Sequence, residues 1–133
     1  MKKIIISIVF EFVISQAQAQ QVKHHFLLFW RSDCVGCHMA IPQLVKKAAE
    51  CDTSKFTIMT ISFDTDSVSY FSAIKQLKME GFKNKYNFSQ GYINNPLAKK
   101  YGVTKTPTLL YVDAQGKVLA TMQEAYTKLS SLK

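Results

Sequence analysis

Apolar residues along this chain fall into continuous runs and one-sided stripes, and the two patterns alternate. His25-Phe26-Leu27-Leu28-Phe29-Trp30 is a nearly unbroken apolar run, which predicts a strand buried on both faces of a sheet. Arg31-Ser32-Asp33 then turns the chain into a helix starting near Cys34. Cys37, Ile41, Leu44, Val45 and Ala48 recur along it at helical spacing, while Lys46, Lys47 and Glu50 take the wet side. Pro42 falls inside that helix and predicts a kink. Phe56 to Phe63, with β-branched Thr57, Ile58, Thr60 and Ile61, predicts a second buried strand. Asp64-Thr65-Asp66-Ser67 offers N-caps for a helix turning Phe71, Ile74 and Leu77 inward and stopping at Gly81. A loop or short strand is expected around Tyr86 to Phe88. Asn95 caps a short helix, Pro96 takes its first position and Gly102 ends it. Thr108 to Val112 and Lys117 to Thr121 alternate around Asp113-Ala114-Gln115-Gly116, a hairpin pattern, and a helix from Gln123 to Leu132 closes the chain. Strands first separated by helices and then joined by a hairpin imply an α/β fold, a mixed central sheet of four to five strands flanked by helices.

The N-terminus has a different pattern. Lys2 and Lys3 precede an apolar run from Ile4 to Ser15, and Ala17-Gln18-Ala19 supplies small residues at a cleavage site. The run is shorter than the roughly 20 residues that cross a bilayer. It therefore predicts a secretory signal over 1–19 and one domain over 20–133, exported to the periplasm. Glu11 inside the run opposes this, and an uncleaved N-terminal helix is the alternative. The formal charge of +8 is carried by scattered lysines, with Arg31 the only arginine. Nucleic-acid binders gather such groups on one face, so no nucleic-acid partner is expected and the charge describes a solvated surface.

Export changes how the three cysteines read, since disulfides persist outside the cytosol. Cys34-Val35-Gly36-Cys37 stands where a strand meets a helix N-terminus. The free N–H groups and the positive dipole end there favour a thiolate at Cys34, while Cys37, one turn further in, is shielded. One sulfur attacks and the other resolves. A plain structural disulfide or half of a zinc site is the bland alternative, although neither a second CxxC nor a spaced His pair is present and His24-His25 read as surface residues. Cys51 lies about 21 Å from Cys37 along a straight helix, against about 7 Å for a disulfide, and reads as a buried free thiol. Cys34-Val35-Gly36-Cys37-His38 also spells the c-type haem attachment pattern, with His38 and either Met79 or Met122 as axial ligands.

Phe29-Trp30-Arg31-Ser32-Asp33-Cys34-Val35-Gly36-Cys37, followed by Pro42 five residues after the second cysteine, resembles the active-site segment of the thioredoxin superfamily. Thr106-Pro107 ahead of the Thr108 strand resembles its cis-proline loop. The 70-residue interval from Cys37 to Pro107 is similar to that of the exported TlpA/ResA-like branch, as are Asn95 to Val103 and Val112 to Val118. The resemblance implies a thioredoxin-like fold and a thiol–disulfide oxidoreductase acting as a reductase. Cys34 and Cys37 would be its catalytic, redox-active pair, and Trp30, Thr106 and Pro107 its partner-binding residues. It implies neither organic cofactor nor metal. The partners would be protein thiols and disulfides, served by an upstream redox partner or a membrane-associated electron donor. A cis Thr106–Pro107 bond facing the cysteines is expected on the same grounds. The chain also departs from the family. Asp33 replaces an aromatic residue and sets a carboxylate against a Cys34 thiolate. Leu28 and Ala40 stand where relatives carry acids, and the strand and helix that open relatives are missing. The sheet edge left uncovered suggests a partner or a homodimer. A haem protein and a redox-silent binding module on the same fold are the rival readings.

Overall fold

The computed structural model describes residues 23–88 and 94–133. The signal expected over 1–19 lies outside the described residues. Five strands form one sheet: β1 (His24–Trp30), β2 (Phe56–Ser62), β3 (Lys83–Tyr86), β4 (Thr108–Val112) and β5 (Val118–Thr121). Four helices are present among the described residues: α1 (Val35–Ala49), α2 (Ser67–Gln76), α3 (Pro96–Tyr101) and α4 (Gln123–Ser130). The strand order is β3-β2-β1-β4-β5. β1 and β2 run parallel, as do β2 and β3, whereas β4 is antiparallel to both β1 and β5.

This order explains where the helices lie. The chain passes from β1 to β2 to β3 in one direction, and right-handed crossovers put α1 and α2 on the same face. The return from β3 to β4 puts α3 on the other. Burial follows this division. Phe26, Leu28, Trp30, Cys37, Ile41, Tyr70, Ile74 and Leu129 pack into one apolar layer, and Leu27, Phe29, Ile61, Phe63, Ala98 and Val112 into the second. Alternate residues of β1 therefore feed opposite cores, as expected of a strand covered on both sides. α1 buries Cys37, Ile41, Leu44 and Ala48, and it runs on through Pro42 to Ala49.

The local signals act as expected in the second half. Asn95 accepts from the Leu97 and Ala98 amides, and Gly102 ends α3 at φ 65°. Asp113 Oδ1 accepts from the amides of Gln115 and Lys117 across the hairpin. Of the four candidate caps Asp64 to Ser67, Asp66 is the one that caps α2. Two expectations need correction. Tyr70 takes the interior position while Phe71 stays half exposed against Tyr86 and Phe88. α2 ends well before Gly81, because Lys78 adopts φ 58° and the Met79 amide bonds back to Ile74 O at 2.9 Å. This is the bond pattern of a glycine C-cap, carried by a lysine. The short strand expected near Tyr86 runs over Lys83–Tyr86 and occupies the edge beyond β2. Lys83 and Lys85 lie exposed on it, which guards an edge strand against further pairing.

Tyr70 packs between Trp30 and the rings of Tyr86 and Phe88. Its hydroxyl is buried without a hydrogen-bond partner among the described residues. Burial, then Tyr86 and Asp64, push its phenol from 10.0 up to about 12. The unfolded phenol ionises first, so this contribution to stability is complete below pH 10 and is lost as the pH rises toward 12. Tyr70→Phe is expected to raise stability by about 1 kcal/mol, because an unpaired buried hydroxyl is costly. It should also remove part of the alkaline loss. Urea unfolding between neutral pH and pH 11.5 checks both; a variant less stable than wild type at neutral pH would contradict the orphaned hydroxyl.

Candidate active site

β1 ends at Trp30, and residues 31–33 lead directly into α1. Cys34 is the N-cap of that helix, in extended conformation, and its Sγ accepts from the Cys37 amide at 3.1 Å. The amides of Cys37 and His38 also point to the Cys34 carbonyl at 3.1 Å. Cys34 and Cys37 are joined in a disulfide with Cα atoms 5.2 Å apart. The two sulfurs are unequal: Cys34 is partly exposed and Cys37 fully buried.

The Thr106–Pro107 peptide bond is cis. A Cβ placed on Gly36 would lie 3.1 Å from Pro107 Cδ, so the proline ring rests on the turn between the cysteines. Beside this contact runs an apolar groove of about 180 Å³, lined among others by Leu28, Ala40, Ile41, Leu44, Pro107 and Tyr126. Leu28 and Ala40, read above as replacing acids of the resembled family, both line it, and neither brings charge. Asp33 is exposed and pairs with Arg31 Nε at 3.0 Å.

The family model of the thioredoxin-like domain matches residues 11–131. The chain belongs to the thioredoxin-like family. Among solved structures, a thiol–disulfide oxidoreductase from Bacteroides fragilis superposes with a TM-score of 0.71 at 28% identity, over 84% of this chain and 82% of that one. The thioredoxin domain of a thiol–disulfide oxidoreductase from Bacteroides vulgatus gives 0.69 at 20% identity, over 85% and 81%. A secreted Mycobacterium tuberculosis disulfide oxidoreductase homologous to E. coli DsbE gives 0.62 at 22%, over 86% and 82%. The last two are likenesses of fold. No protein of curated function matches the sequence. The fold and the disulfide-bonded cysteine pair are those of a thioredoxin-like thiol–disulfide oxidoreductase.

Within this thioredoxin-like site, Trp30 needs correction as a partner-binding residue. It is fully buried on Tyr70 and offers no surface, because the apolar run of β1 carries it into the core. Thr106 and Pro107 remain partly exposed. The haem arrangement does not assemble. Cys37 is enclosed, His38 Nε2 lies 2.6 Å from Ser32 O, Met79 is fully buried, and the Met122 sulfur accepts from the Leu109 amide. Cys51 is buried and free, with its Sγ 3.3 Å from Leu129 O. The residue that sequence reasoning misses is Asp64. It is buried and receives the Ser32 hydroxyl at 2.6 Å and the Ser32 amide at 3.1 and 3.2 Å. Its signal lay in the strand ends: Trp30 pairs with Ser62, and Ser32 and Asp64 stand two residues beyond each.

The close approach of Pro107 to Gly36 leaves no space for a branched side chain. Gly36→Val is expected to cost about 1–3 kcal/mol through overcrowding. Gly81→Ala, where an added Cβ meets nothing within 4 Å, should stay within about 0.5 kcal/mol of wild type. Urea midpoints of the oxidised proteins compare them, and equal midpoints would refute the tight Gly36–Pro107 contact.

Proposed function

We propose that this chain exchanges disulfides with protein partners through Cys34 and Cys37, and that it acts as an exported reductase. The observation that carries the reading is the inequality of the two sulfurs. Cys34 is reachable and accepts a helix N-terminal amide, while Cys37 is buried behind it. A thiolate at Cys34 is favoured by that amide and by the helix dipole.

In the reduced enzyme, Cys34 thiolate attacks one sulfur of a partner disulfide. A Cys34–partner bond forms, the partner disulfide breaks, and its other sulfur leaves as a thiolate. Cys37, losing its proton, then attacks Cys34 Sγ. The mixed disulfide breaks and the second partner sulfur leaves. Two electrons have passed to the partner, and Cys34–Cys37 is oxidised. An upstream dithiol, soluble or held at a membrane, returns the two electrons by the reverse exchange. Thr106 and Pro107, partly exposed beside the cysteines, are the proposed seat of the partner's extended chain, bound as an added strand. No helix among the described residues is long and apolar enough to cross a membrane. Export rests on the N-terminal pattern of Lys2, Lys3 and Ala17-Gln18-Ala19.

Cys37→Ser is expected to accumulate mixed disulfides with partners, because the resolving sulfur is gone, whereas Cys34→Ser should trap none. Non-reducing electrophoresis of tagged variants separates the outcomes. Trapping by Cys34→Ser instead would exchange the two roles, and trapping by neither would end the exchange reading.

A further inference from the structure

Ser32, two residues before Cys34, is held by every polar group it has. Its amide faces both Asp64 oxygens at 3.1 and 3.2 Å, and its hydroxyl donates to Asp64 Oδ1 at 2.6 Å. Its carbonyl lies 2.6 Å from His38 Nε2. A carbonyl only accepts, so His38 carries a proton on Nε2 in this arrangement. Asp64 is itself fixed: Ser62 Oγ donates to Oδ2 at 2.6 Å and accepts the Asp64 amide at 2.9 Å. The two anchors come from different elements. Asp64 follows β2, and His38 stands in the first turn of α1.

We propose that Asp64, Ser32 and His38 form a clamp whose task is to keep Cys34 Sγ on the Cys37 amide. All three are positioning residues; none touches the reacting sulfurs. The inference rests on Cys34 being the attacking thiol. Within the loop itself the restraints are the Cys34 amide on Arg31 O at 3.3 Å and the Arg31–Asp33 ion pair, whose side chains are exposed. An N–H···S contact weakens steeply when distance or angle drifts. Releasing Ser32 frees the loop from the end of β2 and from α1 at once, so the amide and the sulfur lose their alignment.

The charges around this loop make the sign of the effect informative. Arg31 and Asp33 on the loop pair with each other, His38 approaches from α1, Asp64 from the end of β2, and Tyr70 faces Asp64 from α2. Taking away the Asp64 charge by itself would favour a nearby thiolate, because a negative neighbour is gone. Loss of the clamp acts in the opposite direction. Ser32→Ala changes no charge and reports on the clamp alone.

The test uses the reduced full-length protein and the rate of iodoacetamide alkylation against pH, with the modified position read by mass spectrometry. Wild type should be labelled at Cys34. Ser32→Ala and Asp64→Asn are each expected to move the rate midpoint to higher pH and to slow alkylation at pH 7 about three- to tenfold, the worth of a hydrogen bond. The double variant should be no slower than the slower single one, since both break the same clamp. Ser32→Thr, which keeps the hydroxyl, should retain the wild-type profile. His38→Gln, which can still donate, should do so where His38→Ala does not. A wild-type profile in Ser32→Ala overturns the proposal, and so does a midpoint moved to lower pH in Asp64→Asn. Where Asp64→Asn fails to fold, judged by circular dichroism, Ser32→Ala decides alone. Labelling of wild type elsewhere than at Cys34 would remove the functional reading and the clamp's role with it, whereas a Cys34 label with unmoved variants sinks the clamp only.

Discussion

The parallel pairing of β1 with β2 is the constraint on which the rest of this molecule depends. Parallel neighbours cannot be joined by a hairpin, so the chain leaving Trp30 must cross one face of the sheet before re-entering at Phe56. α1 makes that crossing. Its N-terminus therefore stands at the C-terminal end of β1, and Cys34 caps it. The same register sets Trp30 opposite Ser62, which carries Asp64 to the loop before Cys34. On the other flank, β4 lies antiparallel to β1 with Thr108 opposite Phe29, and so delivers Pro107 to the same end of the sheet. Three distant segments converge without any contact between them having to choose the place.

The core then makes the two cysteines different. Cys37 belongs to the apolar layer under α1 together with Ile41 and Leu44, while Cys34 caps the helix at the surface. Residues three apart share a helix face, but Cys34 is the extended N-cap at the helix end, whereas Cys37 lies one turn further along, where that face is already packed on the sheet. The unequal exposure of the two sulfurs thus comes from the packing of the helix start. Trp30 belongs to the same layer, and its role is to fill the space beneath the loop against Tyr70.

Much of this was legible from the chain. Strong periodic signals located β1, α1, β2 and the hairpin, and the Asn95-Pro96 and Gly102 chemistry bounded α3 as observed. What escaped was decided by tertiary packing. Tyr70 and Phe71 are adjacent aromatic residues, and periodicity alone does not say which turns inward; the space beside Trp30 selects Tyr70. α2 stops at a lysine in a left-handed conformation because Met79 is drawn into the core, and no composition rule marks that position. Asp64 and Asp66 both read as candidate caps because four polar residues follow one another there. Only the pairing of strand ends shows that Asp66 caps the helix while Asp64 reaches across to Ser32. The cysteine pair and Pro107 were readable as motifs, but the burial that removes Trp30 from the partner surface was not.

The apolar groove gives the site its last distinctive property. Leu28 and Ala40 line it, so these positions offer no carboxylate to receive the proton that the proposed resolving step takes from Cys37. Asp64 does not replace them, since its two oxygens are already engaged by the Ser32 and Ser62 donors. An ionised sulfur at the position of Cys37 would sit in apolar surroundings without water, which is costly. In the proposed exchange the resolving step therefore needs a proton acceptor other than the residues at Leu28 and Ala40. The first displacement, at exposed Cys34, has no such requirement. In the proposed exchange, attack belongs to the helix start and resolution needs a proton acceptor supplied from elsewhere, so the partner's own groups enter the lifetime of the mixed disulfide.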